Sequence, residues 1–156
     1  MSQRGQSERL HLTRTSWTAG PPGLPTWKWT KGPARYNFGN PNLGTSYSLC
    51  VFGDQVLASE NVIPSGAGWS GNGISWKLKR DASTTPGGIN GLTLRAGGPG
   101  KSQIKLKGHG PLVSPASIPL TTPVTAQLVS ANGLCFGATY AAPTANANGR
   151  FNANGE

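Results

Sequence analysis

Acidic side chains are scarce in this chain. Five Asp and Glu stand against 14 Lys and Arg, leaving a net charge of +9. Carboxylate-pair catalysis therefore has little to draw on, since only Asp54, Glu60 and Asp81 fall in the stretches that read as folded. Histidine is as rare. With only His11 and His109, a serine triad has a single plausible base, and His109 sits in a Gly-His-Gly loop. Two cysteines, Cys50 and Cys135, make no CxxC. Together with the two histidines they have no compact zinc spacing, so neither a metal nor a cofactor is expected. No apolar run approaches the ~20 residues of a membrane helix. The first residues, MSQRGQSERLHLTRTSW, lack the apolar core of a secretory signal. The expectation from that is a protein that stays inside, or a fragment or mature segment of something longer.

Glycine (23) and proline (13), by contrast, are abundant, and short apolar runs recur between their clusters. Many brief strands joined by many turns account for both facts. Residues 1–25 read as a basic flexible arm, 26–142 as the folded domain, and 143–156 as an Asn/Ala/Gly-rich tail or linker. Within the domain, TWKWTK alternates Trp27 and Trp29 against lysines, which favours a core-facing pair over a stacking platform. YSLCVF is a second alternating run. Two apolar runs around Ser130-Ala131-Asn132-Gly133 form a hairpin whose Asn-Gly suits a tight turn.

The most regular runs are 74–80, 92–96 and 103–107. Each has one apolar face (Ile74, Trp76, Leu78; Leu92, Leu94, Ala96; Ile104, Leu106) and one wet face. The fold class expected is all-β: an antiparallel β-sandwich of about eight strands, compatible with Greek-key connections.

Two apparent motifs dissolve on inspection. GGPGKS at 97–102 lacks the first glycine of a phosphate loop, where Arg95 stands, and it leads into the alternating strand QIKLK rather than a helix. GWSGN at 68–72 has Asn72 where a nucleophile elbow needs glycine. The chain reads as a non-enzyme.

Three features could carry binding or structure. If the three regular runs are neighbours, Lys77, Lys79, Arg95, Lys105 and Lys107 share one sheet face. That face suits an acidic polysaccharide, another cell-surface polymer or nucleic acid. The alternative is a solvated face whose lysines deter edge pairing. Trp69, alone in a glycine-rich loop, is a candidate glycan platform if displayed, or a core residue if folded back. Cys50 and Cys135 are either a bridge, worth ~4 kcal/mol over so long a loop, or two buried thiols packed as small hydrophobes.

The series TWKWTKG, YSLCVF, SWKLKRD, GLTLRAGGPGKSQIKLKGHG and PVTAQLVSANGLCFGATY resembles one unit of a bacterial extracellular β-rich domain. Such units are often repeated within, or appended to, large secreted-type proteins. The resemblance covers about residues 26 to 152, and implies an extracellular or cell-surface location and no catalytic residues. Related units tend to carry a second cysteine pair near 66–76, where this chain has Trp69 and Ser75. By that resemblance the remaining pair, Cys50 and Cys135, is implied to be disulfide-bonded. The function expected is a non-catalytic structural or adhesion module, with polyanion binding through the cationic face and glycan binding through Trp69 as alternatives that rest on the residues themselves.

Overall fold

A computed structural model describes residues 14–19, 26–81, 88–108, 119–147 and 150–155. Among them are twelve strands and no helix. In chain order they are β1 (Arg14–Ala19), β2 (Thr26–Gly32), β3 (Tyr47–Gly53), β4 (Val56–Ile63), β5 (Trp69–Gly71), β6 (Trp76–Lys79), β7 (Ile89–Arg95), β8 (Ser102–Gly108), β9 (Val124–Ser130), β10 (Cys135–Tyr140), β11 (Ala145–Ala147) and β12 (Arg150–Gly155). One sheet has eight strands in the order β11-β12-β1-β2-β8-β7-β6-β5, and the other has four in the order β10-β9-β3-β4. All neighbours are antiparallel.

Alternation decides which side of each strand is buried. Trp27 and Trp29 on β2, Ile104 and Leu106 on β8, Leu92 and Leu94 on β7, and Trp76 and Leu78 on β6 all face inward. Opposite them the small sheet contributes Tyr47, Leu49, Val51, Ala126, Leu128, Phe136 and Tyr140. Aromatic contacts join the two layers. The Trp29 and Phe136 rings meet edge to face at 5.5 Å, and those of Tyr47 and Trp69 lie 5.6 Å apart. Trp27 Nε1 donates to the Tyr140 hydroxyl at 3.1 Å, so the one polar group of a fully buried indole finds its acceptor across the sandwich.

The all-β sandwich is as expected, but it has more strands than the expected eight. Three of the additions lie in the segments read as arm and tail: β1 pairs with both β2 and β12, and β11 pairs with β12. The folded unit therefore extends beyond 26–142. Backbone pairing, including that of β1 with the distant β12, overrides a composition poor in large apolar residues, and the tail gains burial through Phe151 and Ala153. Of the arm, residues 1–13 and 20–25 lie outside the described residues, as do 109–118 of the proline-rich segment.

Two of the hairpin turns are built on positive φ. The β3–β4 loop is Asp54-Gln55, both at positive φ (46° and 68°), as a two-residue hairpin of the type whose twist matches its strands. Gly133, at φ 91°, turns β9 into β10 as the Asn-Gly pair suggests.

The implied disulfide is absent: Cys50 and Cys135 are not bonded. Strand β9 runs between β3 and β10. Cys50 is opposite Gln127, and Gln127 is opposite Gly137, so Cys135 lies two strands across and two residues along. Two strand spacings alone are about 9.6 Å, beyond the ~7 Å Cα separation that a disulfide tolerates. The Cys50 thiol instead points its proton at Glu60, 3.8 Å away. Its pKa is pushed up to about 11, by burial first, then by the Glu60 charge and hydrogen bond, and lastly by Cys135.

Candidate cationic site

The outer face of the large sheet is built by register. β6, β7, β8 and β2 lie side by side, and Lys77, Thr93, Lys105 and Lys28 stand in one row across them. The next row holds Lys79, Gly91, Lys107 and Thr26. Arg95, paired with Gln103, stands one step further along β7 on the same face. All five cations singled out in the sequence are therefore brought together, and all are exposed.

Lys28 joins them and was missed. Its run, TWKWTK, was legible as a strand with Lys28 outward. That this strand lies against β8 is a long-range pairing, for which the sequence carried no signal.

The lysines form two ladders, Lys77 and Lys79 on β6 and Lys105 and Lys107 on β8, with the small residues of β7 between them. Two strand spacings set the ladders about 9.6 Å apart at the backbone. Between them runs a groove of about 540 Å³ whose floor includes Gly91 and Thr93. Gly91 keeps it low: a Cβ there would come within 3.0 Å of Lys107 Cγ and Cε, because the Lys107 stem lies across the space that glycine leaves. At one end Asn90 lines the groove, with its Oδ1 buried and lacking a hydrogen-bond partner.

Arg80 lines the same end but serves the scaffold. Its Nε donates to Ala67 O at 2.6 Å and its Nη2 to Pro64 O at 2.9 Å, pinning the loop that leads into β5. Burial lowers its pKa, from a value too high for this to discharge it.

Among the described residues no carboxylate lines the groove. Asp54 and Glu60 belong to the hairpin of the other sheet, and Asp81 follows Arg80 beyond the end of β6. Five lysines and one arginine on adjacent strands thus repel one another across a face with little to neutralise them. Such a lattice attracts a polyvalent anion. The polar groups of the lining are the lysine ammonium groups, the Arg80 guanidinium, threonines and a carboxamide, set among leucines and Gly91; they can hold charge and hydroxyls but supply no paired acid and base. Among the described residues no three His, Cys, Asp or Glu side chains gather as metal ligands, and no helix is long and apolar enough to cross a membrane.

Trp69 is corrected as a glycan platform. It lies on strand β5, only 7% exposed, packed on Tyr47, with its Nε1 donating to Pro64 O at 3.1 Å. The indole is worth more in the core than on the surface, so this end of the glycine-rich stretch folds back as an edge strand. Set beside protein-family models, curated proteins and solved structures, the chain matches none.

Proposed function

We propose that the chain is a non-catalytic module that binds an anionic polymer on the outer face of its large sheet. The observation that carries this reading is the register that stacks the lysine ladders of β6 and β8 on either side of a recessed β7, with Lys28 extending the row. A face with scattered lysines would serve solubility equally well. Paired ladders flanking a groove without acidic lining suit a linear polyanion better. An extracellular or cell-surface setting, implied by the resemblance, belongs to the same proposal. A purely structural or adhesive role is the alternative, but the disulfide that favoured it is gone.

The test is binding of heparin and of a DNA oligonucleotide across a salt series. Four neutralised charges give a slope of log affinity against log salt of about −3 to −4. Charge reversal with Lys105→Glu and Lys107→Glu abolishes binding if the reading holds. Affinity that survives the double reversal, or no binding to any polyanion at low salt, overturns it.

A further inference from the structure

Resting on that reading, we infer that the polymer is an acidic polysaccharide, one chain of which lies along β7 between the two lysine ladders. Three observations separate it from other polyanions. First, the face is recessed along β7, with the ladders as its walls. Readers of duplex nucleic acid push a helix or a β-ribbon into a groove of the duplex, and this site presents the opposite relief. Second, among the described residues no aromatic ring lines the groove. Proteins that hold single-stranded nucleic acid rely on aromatic platforms on which successive bases stack. Trp76 and Trp27, the rings beside lining residues on β6 and β2, are turned into the core.

Third, the cations are mainly lysines, and they are accompanied by groups suited to hydroxyls. Lysine binds as a point charge and makes no planar fork of the kind that grips phosphate in a fixed orientation. Thr26 and Thr93 add hydroxyls, and Asn90 brings a carboxamide oxygen that has no donor. Burying an acceptor without a partner is costly, and such groups call for a ligand or a water. A phosphate or sulfate group has only acceptors to offer it. A sugar ring offers hydroxyl donors along with its carboxylate or sulfate, and a turn of the Asn90 side chain lets it accept one. Polysaccharide chemistry therefore meets both the charged walls and the polar end of the groove.

The experiment compares four probes on the folded chain at one salt concentration: a heparin octasaccharide, an oligogalacturonate, a single-stranded thymidine oligonucleotide and inorganic polyphosphate. Binding is followed by titration calorimetry. The saccharides are expected to bind about tenfold more tightly per charge than the last two. Gly91→Val alters no charge but pushes aside the Lys107 stem that lies over Gly91 and raises the groove floor, and it is expected to weaken saccharide binding about tenfold. Asn90→Ala, which also alters no charge, is expected to weaken the saccharides selectively, and it decides the matter if the valine variant does not fold. Preference for the oligonucleotide or polyphosphate, or saccharide binding indifferent to both variants, overturns the inference while leaving polyanion binding intact. Binding of none of the four overturns the functional reading itself.

Discussion

Replacing Lys105 by glutamine is expected to stabilise the protein while weakening its ligand. On the outer face Lys105 has Lys28 directly opposite on β2, Lys107 two residues along its own strand, and Lys77 two strands away. Directly opposed side chains start about 5 Å apart, and at that separation two like charges in water repel by about 0.8 kcal/mol. Lys107, at about 7 Å, and Lys77, at about 10 Å, add about 0.6 and 0.4 kcal/mol on the same basis. A screening length of about 8 Å at physiological salt cuts these terms by half or more, and splaying of the flexible side chains lowers them further. The expected gain is about 0.5–1 kcal/mol at physiological salt, larger at low salt and vanishing at high salt. For a chain of this size that is a rise in Tm of about 1–4 °C. Urea unfolding of both proteins at several salt concentrations measures it, with the denaturant slope unchanged. In the presence of heparin the order inverts, because the parent protein gains more from the ligand. A variant less stable than the parent at low salt, or a gain insensitive to salt, refutes the idea that these charges are held together against their own repulsion.

The Trp27–Tyr140 bond should matter because it is buried between the sheets. Tyr140→Phe leaves a buried indole N–H without that acceptor, and chemical denaturation should show a loss of about 1–3 kcal/mol. Both cysteines should titrate as thiols in the denatured protein, and dithiothreitol should leave Tm unchanged. Stability should fall as pH rises through the window between the ordinary thiol value of 9.0 and about 11. There the unfolded chain can ionise Cys50 and the folded one cannot. Tyr47, whose hydroxyl donates to Phe38 O at 2.6 Å and whose pKa burial also raises, pushes in the same direction above pH 10. Cys50→Ser should flatten the lower part of that decline in a pH series of thermal melts, and an identical profile would count against the Cys50 assignment.

The large inward faces were legible because a period of two in the sequence is itself the physical cause of one-sided burial. Trp27 and Trp29, Leu92 and Leu94, and Ile104 and Leu106 point inward wherever their strands are placed. For the same reason Lys77, Lys79, Lys105 and Lys107 had to point outward. Strands β1, β11 and β12 were not legible, since their short, polar runs are ordered by backbone pairing, and the pairing that ties them into the sheet joins β1 to β12 from opposite ends of the chain. The cysteine pairing failed likewise. Local pattern put both thiols on strands, but strand order placed β9 between them.

By itself the sequence determined an all-β chain, the two-faced character of its strands, the turn at Gly133 and the excess of positive charge, because each depends on neighbouring residues alone. Tertiary structure decided that β2 joins β8 and brings Lys28 to the other cations. It also decided that Gly91 falls between two lysines and opens a groove, that Trp69 is core, and that Cys50 and Cys135 stay apart. All of these follow from strand order and register, which arise from pairings between residues remote in sequence.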